Sequence, residues 1–472
     1  ALEAKLKPTN LPDRVRAVVL GGRSGRFDLE EMDIDGNPAS AIERLEAIAR
    51  DLGEAVAIDE GIFAELLPDL LQGGNRVWPF GRGLAGASPD ICTTWAMLIE
   101  GLERIPLEKR DVRVLGGFLA ELWEKNRELV QDFLDSALEE PTLVTFLPIL
   151  HSAVGLDERG AERLMVALSG GKVPVRMYRS LAFGRATAQV VGGALKDLVL
   201  MIADEPEGFD VALNILYMRL HADRSDHREH EPKILEAGRE LLRRLTFHKG
   251  NQCEDYQLTG FIRTSLTVPG AGPVAAEIAA RLRQAVASGE TYPWDNDNLL
   301  TALLEVQPMP VLESLFDGNE RERQAGIRMF ENLGDHRGNP ADAISCKALI
   351  AWCEGDPECR YPLAAAIITF THRPEASGPQ VWSEQAKALV ARAPDLRSVL
   401  SVFISRFRPM SWSGSRASQM EANGRLLDSL VSLIPSSLIP FVTEAKAKLA
   451  EEVARERQWE TQKDRGQDER FE

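Results

Sequence analysis

Apolar residues recur three and four positions apart along most of this chain, and this spacing constrains its fold more than any other feature. In residues 41–52, apolar side chains fall on one side of a helical projection and charged side chains on the other. The same period appears in residues 115–134, 211–220, 275–286, 299–306, 386–390 and 426–433. It predicts a series of amphipathic α-helices.

Glycine and proline interrupt the helical pattern at short intervals. Breaks fall at residues 73–74, 170–174, 206–208 and 269–273. These residue types end helices, so the helices must be many and short. Two apolar runs, 15–20 and 143–150, could form strands, but neither has a partner strand at hairpin or crossover spacing, and we interpret both as helical. The sequence therefore predicts an all-α fold, an irregular α-solenoid of helix pairs (HEAT/TPR-like), with a charged C-terminal helix.

One pair of segments suggests an internal repeat. Residues 78–85 read WPFGRGLA and residues 178–185 read YRSLAFGR, and an apolar helical stretch follows each of them. The pair is explained either by a degenerate repeat or by two similar junctions between a loop and a helix.

Changes in composition divide the chain into five parts. Residues 1–37 are rich in Gly, Asp and Pro, which predicts an irregular lead-in. Residues 38–248 and 274–442 carry the helical pattern and predict two helical-repeat halves, joined by a helix-poor seam at 249–273. Residues 443–472 are mostly Glu, Lys, Arg, Gln and Asp, which predicts a charged tail that is either a solvated helix or a partner-binding helix.

Charge and cysteine content limit the class of protein. The 472 residues include 72 acidic and 55 basic side chains, a formal net charge of −17. This acidity disfavours nucleic-acid binding, which needs Lys and Arg to neutralise phosphates, and leaves only a local basic groove as an alternative. No apolar run approaches the roughly 20 residues of a membrane span, and no apolar stretch typical of a secretory signal follows the first lysines. Five cysteines, an odd number, suit the reducing cytoplasm.

Residues 21–26, GGRSGR, follow an apolar run and superficially resemble a phosphate-binding loop. A P-loop needs Lys followed by Ser or Thr after its last glycine, and a dinucleotide-binding loop needs Gly-x-Gly-x-x-Gly between a strand and a helix. Neither pattern is met. We interpret the segment as a flexible loop at a helix end, and the sequence predicts no cofactor.

The densest group of metal-ligand residue types lies at 221–231. It consists of His221, Asp223, Asp226, His227, His230 and Glu231. Imidazoles and carboxylates bind zinc, so a metal-dependent hydrolase that uses the residues from His221 to His230 is the alternative function. No two of the histidines have the i, i+4 spacing of the helical zinc motif, and Pro232 indicates a loop that enters a helix. We favour a solvated loop without metal.

Three cysteines, Cys346, Cys353 and Cys359, suggest a zinc knuckle at first sight. Their intervals lack the close Cys-x₂₋₄-Cys pair of structural zinc sites. A disulfide between Cys353 and Cys359 is geometrically conceivable but is not expected in a reducing compartment. We expect buried or half-buried free thiols.

The stretch 406–416, RFRPMSWSGSR, is the most informative segment for function. Arg406, Arg408 and Arg416 supply planar cations, and Trp412 supplies a stacking surface, which together suit a carboxylate, a phosphate or a partner loop. These four residues are the candidate partner-binding site. An alternative is structural: Trp412 packs at a helix junction, and a serine caps the following helix.

Residues 406–416 also resemble part of a known group of proteins. Together with the segments RLLD at 425–428, ERQWE at 456–460 and DERFE at 468–472, they resemble the C-terminal region of large, mostly uncharacterised bacterial proteins. In these proteins a STAND or AAA-like NTPase module precedes a helical-repeat half. The resemblance extends to residues 178–185 and 211–220 and implies that the chain is the non-catalytic half.

The resemblance implies a cytoplasmic scaffold or sensor region that binds a protein partner, in a bacterial NTPase of the conflict or anti-phage type. No nucleotide-binding motif lies in the matching segments, so any NTPase activity would lie outside this chain. We therefore expect a non-enzyme with no catalytic residue, no resident metal and no membrane association.

Overall fold

A computed structural model describes residues 8, 10–21, 38–249, 255–330, 338–373, 378, 380–409, 414–431 and 434–471. These residues are mainly helical, and the predicted all-α class is confirmed. Within them the only strands are two-residue segments, β1 (Thr371–His372) and β2 (Val381–Trp382), which pair antiparallel. None of the helices found in the described residues is long and apolar enough to cross a membrane.

The chain forms two compact units, residues 1–241 and 242–472. Unit 1 contains α1 (Leu11–Val15), α2 (Pro38–Ala57), α3 (Glu60–Leu70), α4 (Val77–Ala87), α5 (Ile91–Glu103), α6 (Arg113–Lys125), α7 (Arg127–Glu139), α8 (Leu147–Val154), α9 (Glu158–Ser169), α10 (Gly192–Asp204), α11 (Gly208–Ser225) and nearly all of α12 (Pro232–Leu242). A π-helical turn (Arg16–Leu20) and 3₁₀ turns (Leu107–Lys109, Val144–Phe146, Val175–Ala182) lie between them.

Unit 2 contains α13 (Asp255–Leu266), α14 (Gly272–Ser288), α15 (Asp297–Val306), α16 (Pro308–Phe316), α17 (Glu320–Arg328), α18 (Cys346–Glu354), α19 (Pro357–Ile367), the β1–β2 pair, α20 (Glu384–Arg392), α21 (Leu396–Ser405), α22 (Arg416–Leu430) and α23 (Ile439–Phe471). Its 3₁₀ turns are Pro293–Asn296, Pro340–Ala343 and Ser436–Leu438.

Short polar side chains start many of these helices. Asp59, Asp90 and Asp157 each accept a hydrogen bond from a backbone N–H in the first turn of the helix that follows. At α17, Asn319 and Glu322 form a reciprocal capping box. These caps explain how a chain with so many breaks still begins its helices at defined positions.

Many helices pack against their second neighbour in sequence, while others, such as α10 and α11 or α22 and α23, pack against the next helix. In unit 1, α2 packs on α4, α4 on α6 and α6 on α8, while α3 packs on α5 and α7 on α9. In unit 2, α13 packs on α15, α14 on α16, α16 on α18 and α18 on α20. Each unit therefore buries apolar stripes between helices that alternate along the chain.

The contacts among α2, α4 and α6 are unusually close because they are made through glycine. A β-carbon on Gly83 of α4 would lie 2.8 Å from the carbonyl carbon of Arg50 in α2. A β-carbon on Gly117 of α6 would lie 2.9 Å from the carbonyl carbon of Trp78 in α4. Any larger residue at these positions would push the backbones apart.

A buried carboxylate connects the same three helices. Glu121 of α6 is only 3% exposed and accepts hydrogen bonds from Arg50 of α2 at 2.9 Å and from Arg82 of α4 at 3.0 Å. Lys125 lies 3.1 Å away on its own helix. Burial disfavours the charged form, but Lys125, Arg50 and Arg82 outweigh it and keep the pKa of Glu121 below its usual range.

The structure differs from the sequence-based expectation at two places. The predicted helix-poor seam at 249–273 contains α13, whose Phe261, Ile262 and Leu266 are fully buried. Residues 78–85, which we related to 178–185, lie inside the α-helix α4, whereas most of 178–185 is a 3₁₀ turn. Local glycine and threonine content obscured both helices, because tertiary burial overrides such weak propensities.

Both runs with strand-like composition are helical, as predicted. Residues 15–20 belong to the end of α1 and the π-helical turn, and residues 143–150 span a 3₁₀ turn and the start of α8. Of the predicted lead-in at 1–37, most residues, including 22–26 of the glycine-rich segment, lie outside the described part of the chain.

Candidate partner-binding site at the C-terminal helix

The segment that begins with Arg406 leaves the end of α21, and its first arginine has a structural contact. The Arg406 guanidinium donates hydrogen bonds to the carbonyls of Ala365 and Ile368, at 2.7 and 2.8 Å, at the end of α19. It also lies over the ring of Phe370, 4.9 Å from its centre. Arg406 therefore satisfies carbonyls that the helix leaves unpaired.

Phe407 anchors the backbone that follows. It is fully buried, and its ring packs beside Phe370 and Trp382 at centroid distances of 5.7 and 6.2 Å. Its carbonyl accepts a hydrogen bond from the amide of Asn423 in α22 at 3.2 Å. The β1–β2 pair contributes to this cluster through Trp382, whose indole N–H donates to the carbonyl of Leu426 at 3.1 Å. The position of Arg408 is thereby fixed.

Arg408 binds the C-terminal helix. Its guanidinium donates two hydrogen bonds to the carboxylate of Glu452 in α23, at 2.6 and 2.9 Å, and a third to the carbonyl of Ile404 at 3.1 Å. A two-point contact between a guanidinium and a carboxylate is the strongest form of this ion pair. The Arg408 guanidinium holds the pKa of Glu452 below its usual range.

Arg416 repeats this contact one helical turn further along α23. It lies 2.9 Å from the carboxylate of Glu456 and donates to the carbonyl of Pro409 at 3.2 Å. One more turn along, Glu460 accepts hydrogen bonds from the Ser415 hydroxyl at 2.7 Å and the Ala417 backbone N–H at 3.1 Å. Carboxylates at i, i+4 and i+8 of α23 therefore face the segment that precedes and starts α22.

Apolar side chains complete the docking of α23. Val442, Leu449 and Val453 are buried, although most of the helix is charged. The side chain of Leu449 approaches Gly424 of α22 so closely that a β-carbon there would lie 3.1 Å from it. The predicted charged tail is thus part of a helix that packs on α22.

A groove remains open beside these ion pairs, and we call it the C-terminal groove. It is lined by Arg408, Arg416, Met420, Glu452, Arg455, Glu456 and Trp459 and has a volume of about 370 Å³. Trp459 is 52% exposed, and the Lys463 ammonium lies 5.2 Å from the centre of its ring. The groove offers a partner an aromatic surface beside fixed charges.

The structure thus brings Arg408 and Arg416 to one groove and places Arg406 on the end of α19 instead. Trp412 lies outside the described residues, so both interpretations of it stay predictions. Sequence reasoning missed Trp459 as a member of the site. The sequence did contain a signal for a helix here: Glu452, Glu456 and Glu460 are spaced four residues apart and so share one helix face, next to Trp459.

The residues at 221–231 surround a buried arginine. Arg219 of α11 is bound by both oxygens of Asp223 at 3.1 Å and by Glu231 at 2.9 Å. It also donates to the carbonyls of Thr187 and Val190. Glu231 in turn accepts the backbone N–H of Gly192 at 2.8 Å, at the start of α10. This network connects α11 to the loop before α10.

Metal-ligating side chains do not converge at 221–231. In the described part of the chain no group of three His, Cys, Asp or Glu residues is arranged to hold a metal ion. His221 instead stacks on Tyr217, and the carboxylates of Asp223 and Glu231 are bound to Arg219. The side chains of His221, Asp223 and Glu231 therefore have structural contacts.

The three clustered cysteines are free thiols, and the expected burial holds for Cys353 and Cys346 but is wrong for Cys359, which is exposed. Cys353 is buried in α18, and its thiol donates to the carbonyl of Arg360 at 3.7 Å. Burial raises the pKa of the Cys353 thiol to about 12, so the group stays protonated and unreactive. Cys359 is exposed and Cys346 half-buried.

Comparison with protein-family models, with curated proteins and with solved structures finds no match for this chain.

Proposed function

We propose that this chain is a non-catalytic α-solenoid that serves as a scaffold or sensor region and binds a protein partner at the C-terminal groove. Support for the solenoid comes from the packing of many helices on their second neighbour, because stacked helix pairs produce this pattern. Solenoids act by recognition, since they present extended surfaces.

The exposure of Trp459 is the observation that carries the proposal. A tryptophan that is 52% exposed on a helix with few large apolar residues contributes little to the core. Tryptophan is, however, among the residue types that contribute most to protein interfaces. Its place beside Met420 and Arg455 in one groove supports a role in contact with a partner.

The ion pairs that border the groove support the same role. Arg408 and Arg416 are held by Glu452 and Glu456, so the charged floor is ordered before a partner arrives. A surface that is already ordered loses less conformational entropy on binding. These two ion pairs hold the part of α23 that carries Trp459 against the start of α22.

Photo-crosslinking tests the proposal. A benzophenone amino acid is placed at position 459 of the full chain, and a second variant carries it at position 78, where Trp78 is 39% exposed in unit 1. We expect one protein partner to be crosslinked from position 459 and not from position 78. Equal crosslinking patterns from both positions would contradict the proposal.

The cytoplasmic location and the association with an NTPase are also proposals. The free thiols of Cys92, Cys346, Cys353 and Cys359 support a reducing cytoplasmic location. The NTPase module implied by the resemblance, and a role in bacterial conflict, are tested by whether the partner or the adjoining sequence carries a nucleotide-binding motif.

A further inference from the structure

A second cavity lies within unit 2, apart from the C-terminal groove. Its volume is about 690 Å³, and it is formed by α14, α16, α17, α18 and α19. Phe316 and Trp352 form an aromatic wall, with ring centroids 5.5 Å apart. The cavity is large enough for several amino-acid side chains.

Two hydrogen-bond donors at this cavity have no acceptor among the described residues. Trp352 is 1% exposed, and its indole N–H has no hydrogen-bond acceptor in the described part of the chain. The buried Nε–H of Arg323 has none there either, although it lies 3.8 Å from the Glu320 carboxylate in an ion pair. Leaving such donors without a partner is costly, and native structures seldom do so. Both residues line the cavity, so an occupant that supplies acceptor oxygens would complete the site.

The charge of the cavity identifies the kind of occupant. Glu313, Asp317 and Asp356 line it together with two arginines, Arg323 and Arg360, so acidic residues are in excess. Arg360 is itself paired with Glu313 at 3.6 Å. The whole chain carries a net charge of −17. A free anion is therefore disfavoured, and an occupant with both positive charge and neutral acceptors is favoured.

We propose that this cavity binds a basic peptide segment of the protein partner, whose Lys or Arg side chain pairs with Glu313 and Asp317 while its backbone carbonyls accept hydrogen bonds from Trp352 and Arg323. The inference rests on the proposed function, since it assumes a protein partner. It adds a second contact surface and specifies its chemistry.

Indole signals in ¹H–¹⁵N NMR spectra provide the test. The chain has eight tryptophans, and the Trp352 signal is assigned as the one lost in Trp352→Phe. The probes are three capped heptapeptides of Gly and Leu that carry two Arg, two citrulline or two Glu residues. Citrulline keeps the shape of arginine but not its charge. We expect the arginine peptide to shift the Trp352 signal, and to bind about tenfold or more tightly than the citrulline peptide.

Variants separate this site from other acidic surfaces. Glu313→Gln combined with Asp317→Asn should weaken binding of the arginine peptide about tenfold or more, whereas Glu384→Gln, an exposed carboxylate on α20, should leave it unchanged. The inference is overturned if no peptide shifts the Trp352 signal, if the glutamate peptide binds best, or if the double variant binds as well as the wild type. The proposed function is judged separately, by crosslinking from position 459.

Discussion

Replacing Gly83 by alanine should destabilise unit 1 even though alanine is the better helix former. On an unconstrained helix the change would stabilise by about 1 kcal/mol. At Gly83 the new β-carbon would lie 2.8 Å from the carbonyl carbon of Arg50 and 3.0 Å from the amide nitrogen of Glu54, both in α2. Ordinary van der Waals contact needs more than 3.4 Å.

The loss of stability in Gly83→Ala is set by the displacement of α2 from α4. The atoms that meet the new methyl group belong to a backbone and cannot rotate away, so α2 and α4 must separate. A gap of roughly 0.5–1 Å forfeits a quarter to a half of the dispersion energy of each contact across the interface. Overpacking of this kind costs about 1–3 kcal/mol, and the rigid neighbour places Gly83→Ala at the upper end. We expect a net loss of about 2 kcal/mol.

Gly86→Ala is the matched control, because Gly86 lies on the same helix and is exposed. The nearest atom to a β-carbon there is a carboxylate oxygen of Glu54 at 3.8 Å. This variant should be stabilised by about 0.5–1 kcal/mol. Urea denaturation followed by circular dichroism measures both changes. The reasoning is refuted if Gly83→Ala is as stable as Gly86→Ala.

Three further outcomes are expected. His151 is buried, and burial, with the nearby Arg163 charge, lowers its pKa from 6.5 to about 3. Between pH 7 and pH 5 the unfolded chain therefore protonates His151, whereas the folded chain does not. The free energy of unfolding, measured by urea titration, should fall by about 2 kcal/mol over this range, and His151→Leu should reduce the loss. Arg408→Gln should speed amide hydrogen exchange in α23 around Glu452, whereas exchange in α4 stays unchanged. Deletion of residues 462–472 should leave the melting temperature almost unaltered, because the described polar contacts of α23 with preceding elements end at Glu460.

The sequence predicted the helical class and the charged C-terminal helix because both depend on local pattern. The helical period of the apolar residues and capping residues such as Asp59 and Asp157 can be recognised in a single sequence. The helix α4 was not foreseen, since its three glycines reduce helix propensity. Two of them, Gly81 and Gly83, allow a close approach between backbones, and this depends on residues some thirty positions away along the chain.

The candidate site, too, was only partly predictable from the sequence. Arg408 and Arg416 were selected from their sequence, but their partners on α23 lie about forty positions later and cannot be read from composition. The three arginines looked equivalent, and only the fold distinguishes Arg406, which satisfies carbonyls of α19, from the two that meet carboxylates. Long-range pairing of this kind is set by tertiary packing.

The affinity of the crosslinked partner for variants of the full chain tests the central claim most directly. Titration calorimetry compares wild type with Trp459→Ala and with Trp78→Ala, which removes an exposed tryptophan from unit 1. We predict that Trp459→Ala weakens binding by about 2 kcal/mol or more, roughly thirtyfold, and that Trp78→Ala binds as the wild type does. Unchanged affinity of Trp459→Ala, or an equal loss in both variants, would contradict the account.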